Sequence, residues 1–141
     1  MFRVAVEGSP KNLHPIVRDE VYRIGHEAIR NAFRHGDPKT VEVKITYAAE
    51  LRLRVRDDGK GIDAAFLNDR RPGHYGIPGM RERAKQIGAA LSVRSPAGAG
   101  TEIELSVPGS RAFAISFKHP LARLFGRKKE AKHTAAGRRN T

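Results

Sequence analysis

The chain has no cysteine and no tryptophan among its 141 residues. Without thiols it can form neither disulfides nor thiolate metal sites, which fits a reducing compartment. No apolar run approaches the ~20 residues that a membrane-spanning helix needs. The first fifteen residues are interrupted by Glu7, Pro10, Lys11 and Pro15 and lack the apolar stretch of a secretory signal. Acidic residues are scarce, 15 against 27 Lys and Arg, so the net charge is +12. That excess is unevenly spread: residues 118–141 hold eight basic side chains against Glu130 alone, which accounts for +7 of the +12. Such a tail has little core-forming power. Residues 111–141 therefore read as a basic, partly disordered end, with Phe117, Leu121, Leu124 and Phe125 spaced for one short amphipathic turn. Nucleic acid is not an expected partner, and a membrane surface would be met only through this tail or a larger parent protein.

What remains, residues 1–110, is long enough for one domain with a real core. Phe2 to Val6 alternates as a strand does. From Pro15 the period changes. Val17, Val21, Ile24, Ala28 and Ala32 recur at helical steps until Gly36-Asp37-Pro38 stops them. Residues 41–47 and 51–55 alternate again across a brief link, which predicts an antiparallel hairpin with one buried face. Residues 59–79 carry little periodicity, and such a stretch inside a compact domain is usually functional. With so few core anchors, residues 63–78 are expected to lack order without a ligand. A second helix follows at residues 80–87. Strands at 91–93 and 102–107 then flank the Gly98-Ala99-Gly100 turn. The expected architecture is α+β: a two-layer sandwich of a mixed, mostly antiparallel sheet with helices on one face.

Chemistry concentrates in four places. Glu27, Asn31, Arg34 and His35 fall on one polar stripe of the long helix when each residue turns 100°. An amide oxygen is a suitable hard ligand for Mg²⁺, and a carboxylate one turn earlier could hold and deprotonate a nucleophile. Asp57 ends a strand, where an acceptor-only carboxylate can take an exocyclic amine such as that of adenine. Gly59 and Gly61 would let the backbone approach a flat base. His74-Tyr75-Gly76-Ile77-Pro78-Gly79-Met80 runs into a helix N-terminus, a source of free N–H groups for phosphates. Gly98 to Thr101 adds backbone and a hydroxyl. No GxxxxGK[ST] phosphate loop is present, so the pocket is not of the Walker type.

In combination these segments resemble the histidine-kinase-like ATPases, the group that includes gyrase, Hsp90, sensor histidine kinases and MutL. Residues 26–35 resemble that family's N box, residues 57–62 its first glycine box, residues 76–84 its second, and residues 98–101 its final glycine–threonine element. The Gly-Met-Arg-Glu-Arg-Ala form at 79–84 is similar to that of the nitrate-sensor and DesK-like sensor kinases. The resemblance implies a Bergerat-type fold that binds ATP between the long helix and a lid at about residues 63–78. It implies that Asn31 holds Mg²⁺ at the phosphates and that Glu27 holds the nucleophile or a metal-bound water. Arg34 and His35 would lie near the phosphates. Asp57 would read the adenine amine, with Gly59, Gly61 and Ile62 as the adenine wall. Gly76 and Gly79 would be the lid hinge, Met80 would stand beside it, and Thr101 would sit near the base.

The resemblance also implies a phosphoryl-transfer role in two-component signalling. The partners would be a dimerisation and phospho-acceptor domain carrying the reactive His, and a downstream response regulator. The location would be the cytoplasmic part of a membrane-anchored kinase. Only Met1 precedes Phe2, so that acceptor hairpin is not within the sequence, and His14 beside Pro15 is no substitute. An ATP-binding module that does not autophosphorylate alone is the expectation. The alternatives are an anti-sigma-type serine kinase of the same family and a non-catalytic binding module that acts through its basic tail.

Overall fold

A computed structural model describes residues 1–71, 74–96 and 98–114; the tail from residue 115, including the amphipathic turn expected at 117–125, lies outside the described residues. In chain order the elements are β1 (Phe2–Glu7), α1 (Pro15–Asn31), β2 (Val41–Tyr47), β3 (Glu50–Asp57), α2 (Ile77–Gln86), β4 (Ala90–Arg94), β5 (Thr101–Pro108) and a four-residue helix α3 (Gly109–Ala112). The five strands form one sheet in the order β1-β2-β3-β5-β4. β1 runs parallel to β2, and the other pairings are antiparallel.

The two-residue period of the strands decides which side faces the helices. In the β2–β3 register, Val43 stands opposite Val55 and Ile45 opposite Leu53, while Lys44 stands opposite Arg54. Leu51, Leu53 and Val55 are therefore buried, and the alternate positions form a charged outer face on which Lys44 meets Glu7 at 2.7 Å and Arg54 meets Glu42 at 3.4 Å. Such exposed pairs contribute little stability. Across the inner face, Val17, Ile24 and Ala28 of α1 and Ile77, Met80 and Ala84 of α2 share one core with Ile103, Leu105 and Val107 of β5. Gly25 brings α1 close to the sheet: a Cβ there would stand 3.1 Å from Leu53 Cδ2. The α+β sandwich expected from the patterning is thus the observed fold.

Three local features differ from the expectation. The first is at the end of α1, which does not run on as a regular helix. Residues Ala32–Gly36 wind as a π turn, and Asp37 closes it in the left-handed region at φ 46°. Asp tolerates that conformation better than most side chains. The second is the start of α2, which begins at Ile77 rather than Met80, because Pro78 fits a first helical turn where its missing N–H has no partner to lose. Gly79 is consequently part of the helix and not of a hinge loop. The third is the lid, which is not short of anchors: Phe66, Leu67 and Tyr75 are partly buried against the core.

Ile24 has no exposed surface. Ile24→Ala should lower the unfolding free energy by about 2–5 kcal/mol in urea titration, through lost burial and the cavity left behind. A loss below about 0.5 kcal/mol is the size of a surface substitution and would contradict the packing described.

Candidate nucleotide site

Asp57 ends β3 with only 7% of its surface exposed, an unusual place for a carboxylate. Its Oδ1 accepts the backbone N–H of Gly59 at 2.8 Å, and the backbone of Thr101, its partner across β5, also donates to it. Burial nevertheless dominates and raises its pKa above the ordinary carboxylate value, with the neighbouring Asp58 adding to the rise. Gly59 has an internal reason to be glycine: a Cβ there would run into the carbonyl of Gly36, whose oxygen takes the N–H of Lys60 at 2.8 Å. Gly61 sits at φ 82°, where a Cβ would lie 2.8 Å from Ser95 Oγ. Both glycines therefore fit the loop to its own protein neighbours, and Gly61 also lines the pocket beside Ile62.

On the helix side, Asn31 is 7% exposed and faces the same pocket. Its Nδ2 donates to the carbonyl of Tyr75 at 2.6 Å, which leaves Oδ1 as the atom able to serve as a hard ligand. His35 lies in this pocket as well, and its Nε2 is buried with no hydrogen-bond partner among the described residues. Burial, Arg34 and His74 lower the His35 pKa, while Glu27 opposes them, so the imidazole is neutral at pH 7. Arg34 is exposed and does not line this pocket. A stripe drawn at 100° per residue had joined Arg34 to His35; the π turn breaks that phase after Asn31. One pocket thus holds Asn31, His35, Asp57, Gly61, Ile62 and Thr101. Glu27, Gly76, Gly79 and Met80 line a neighbouring groove of about 510 Å³ between α1 and α2.

The pocket is shut. Between its walls remains about 10 Å³, room for no more than a water molecule. Tyr75 closes it, with its ring centroid 4.5 Å from that of His35 while its carbonyl holds Asn31. Phe66 packs on Tyr75 at 6.1 Å and on His74 at 5.7 Å. Asp69 pairs with Arg71 at 2.7 Å and with His74 at 3.4 Å, and Arg70 reaches Glu82 of α2 at 2.8 Å. The Arg71 guanidinium holds the Asp69 carboxyl well below its usual range.

Sequence reasoning missed three residues here. Asp58, which looked incidental, accepts the N–H groups of Lys39 at 2.9 Å and Thr40 at 2.8 Å, and so ties the acidic turn to the entry of β2. Ser95 bridges two glycine loops: its Oγ accepts the N–H of Ile62, lies 3.0 Å from Thr101 Oγ1, and is 3.1 Å from the carbonyl of Gly100. Neither role has a local signature, because Lys39, Thr40 and Ile62 are distant in sequence from the side chains that hold them. Tyr75 offered one available signal, as an aromatic side chain in a glycine-rich loop.

The Asp57 shift carries a stability consequence. A carboxylate whose folded pKa is raised binds its proton more tightly in the folded state. Its contribution is most favourable below the unfolded pKa and is lost as pH rises through the folded value. At pH 7 its charge is therefore a burden on the fold. Asp57→Asn keeps an acceptor for Gly59 and should match or exceed the wild-type melting temperature at pH 7, with the difference shrinking toward pH ~4. A variant that melts lower at pH 7 and recovers in acid would reverse this account.

Residues 16–111 match the family described as histidine kinase-, DNA gyrase B- and HSP90-like ATPase. Sensor histidine kinase LiaS of Bacillus subtilis is 40% identical over 93 residues, covering 65% of this chain and 25% of that protein. Sensor protein VraS of Staphylococcus saprophyticus is 39% identical over 93 residues, covering 65% of this chain and 26% of that protein. The chain thus spans about a quarter of the length of these relatives. Among solved structures, the histidine kinase domain of the Erythrobacter litoralis EL346 blue-light activated kinase superposes with a TM-score of 0.62 at 24% identity, over 78% of this chain and 56% of that one. The mycobacterial sensor histidine kinase MprB superposes at 0.58 with 20% identity, over 81% of this chain and 83% of that one. At these identities the superpositions speak for the fold. With the family match extending over most of the chain, the protein belongs to the histidine kinase-, gyrase- and Hsp90-like ATPases.

Proposed function

We propose that this chain is the ATP- and Mg²⁺-binding catalytic domain of a sensor histidine kinase, which positions the γ-phosphate for attack by a His on a separate phospho-acceptor domain. The observation that carries this reading is the meeting, in one lidded pocket, of two buried polar side chains from opposite layers: Asn31 from α1 and Asp57 from β3. Similarity to LiaS and VraS favours a histidine acceptor over the serine of anti-sigma relatives. A response regulator would then be the downstream partner. Among the described residues no helix is long and apolar enough to cross a membrane.

The residues present fit the metal. Asn31 offers a buried amide oxygen, and no group of three or more His or acidic side chains among the described residues forms a cage. A single protein ligand, completed by phosphate oxygens and water, is a common Mg²⁺ arrangement. When bound, Mg²⁺ would neutralise charge on the transferring phosphoryl group. Asp57 would accept the adenine amine, and Thr101 would stand on the base beside it. Glu27, in the adjoining groove, is placed to orient an incoming nucleophile. Catalysis of this kind rests on positioning and electrostatics more than on covalent steps. The lid must first withdraw Tyr75, since a cavity of about 10 Å³ admits no purine.

Isothermal titration of the folded chain with Mg-ATP should show binding. Asp57→Asn should weaken it by about 10–100-fold, the scale of a hydrogen bond to a charged group. Asn31→Ala should abolish the dependence of binding on Mg²⁺. Absence of heat and of thermal shift at millimolar nucleotide would refute the assignment. Incubated with ATP alone, the chain should not label itself.

A further inference from the structure

We propose that the free edge of β1 is a self-association surface, on which a second copy of this chain adds its own β1 antiparallel, about a two-fold axis at Ala5. The proposal goes beyond the nucleotide reading and does not rest on it.

The two edges of the sheet are finished differently. At the β4 edge, Leu91 and Val93 pack against the core, and Arg81 of α2 donates to the carbonyl of Leu91 at 3.3 Å. At the β1 edge, no strand among the described residues pairs with the outer side. The Met1 amino group donates to the carbonyl of Lys39, and the Met1 carbonyl accepts the N–H of Val41 at 2.9 Å. In a parallel ladder such residues alternate with ones whose backbone groups point the other way. Phe2, Val4 and Val6 therefore turn their N–H and C=O groups outward. Their side chains stand on the helix-facing side, in register with Val41, Val43 and Ile45, yet Phe2 is 49%, Val4 60% and Val6 54% exposed. Phe33 reaches Phe2 with ring centroids 6.2 Å apart, but is itself 57% exposed. Edge strands are ordinarily blunted by Lys, Pro, a bulge or an inward-pointing charge. β1 has none of these, and its register with β2 is unbroken from Phe2 to Glu7.

Polarity and charge select the register. Hydrogen bonds form only where outward backbone groups of one copy meet those of the other, so Phe2, Val4 and Val6 must face even-numbered residues of the second copy. An axis at Arg3 would set that residue against itself. An axis at Val4 would set Arg3 against Ala5. With the axis at Ala5, Val4 meets Val6 in a hydrogen-bonded pair and Arg3 meets Glu7, each twice by symmetry. The Arg3–Glu7 positions are then non-hydrogen-bonded pairs, which bring side chains closest and where opposite charges are favourable. Glu7 Oε1 already holds Lys44 at 2.7 Å, which leaves Oε2 for the incoming guanidinium. The valines of the two copies cover one another, and the two sheets become one.

Sedimentation velocity of the full chain, from micromolar to near-millimolar protein, should show a species of twice the chain's mass growing with concentration. Val4→Lys should remain a monomer throughout. Arg3→Glu and Glu7→Arg should each weaken self-association about tenfold, because each creates two like-charge pairs. An equimolar mixture of these two variants, in which Glu faces Arg at both pairs, should regain wild-type association. A wild-type monomer at every concentration overturns the proposal. So does a dimer indifferent to Val4→Lys, whose interface lies elsewhere, or a mixture no tighter than its components. Should the variants not fold, hydrogen exchange of the wild type decides. The Phe2, Val4 and Val6 amides should exchange more slowly as protein concentration rises. Protection that does not depend on concentration means that the chain's own tail covers the edge, and the second copy is not the occupant.

Discussion

A carboxylate buried at the end of the central strand is the constraint around which this domain is arranged. Removing Asp57 from water is unfavourable unless donors replace the water. The structure supplies them from the chain itself, one from the Gly59 turn and one from the start of β5. Those two contacts require the turn after β3 to fold back tightly. That in turn brings Lys60 onto the carbonyl of Gly36 and locks the end of α1 in place. Asp58 completes the arrangement by fastening the same turn to the entry of β2. The start of β5 and the stretch between α1 and β2 thus converge on the turn that carries one buried charge. The raised pKa of Asp57 indicates that the donors do not fully compensate. Retaining an acidic group at a net electrostatic disadvantage is what a site shaped for a ligand looks like, rather than one shaped for stability alone.

How much of this could be read beforehand depended on the range of the interaction involved. β2 was legible residue for residue, because alternation from Val41 to Tyr47 is a local, period-two signal that burial of one face imposes. The core row of α1 was legible for the same reason at period 3.6. The π turn at Ala32–Gly36 was not, since a one-residue change in helical winding leaves no compositional trace and depends on what packs against it. It separated two residues that the stripe had joined: Arg34 is exposed, while His35 stays in the pocket. The glycines at 59 and 61 were recognised as necessary, but the surface they accommodate could only be seen in three dimensions. One meets the end of α1 and the other meets Ser95. Ser95 itself was invisible, as any hydroxyl before a Ser-Pro-type turn would have looked the same.

The lid gives the site a property that neither layer of the sandwich has by itself. Tyr75 engages both ends of the pocket at once, its carbonyl on Asn31 at one end and its ring on His35 at the other. The exposed ion pairs of Asp69, Arg70 and Arg71 add little to holding it there, being solvated and screened. The closed state therefore rests mainly on the partly buried Phe66, Leu67 and Tyr75. A ligand can shift this equilibrium only by its difference in affinity for the open and closed forms, and its apparent affinity falls by the fraction of molecules that are open. A group that fills one end alone removes one of the two Tyr75 contacts and leaves the other intact. A molecule that carries a base and a phosphate chain competes for both. The same segment that fills the empty site thus makes opening depend on occupancy of both ends, and under the proposed function it would link recognition of the base to exposure of the amide that would hold Mg²⁺.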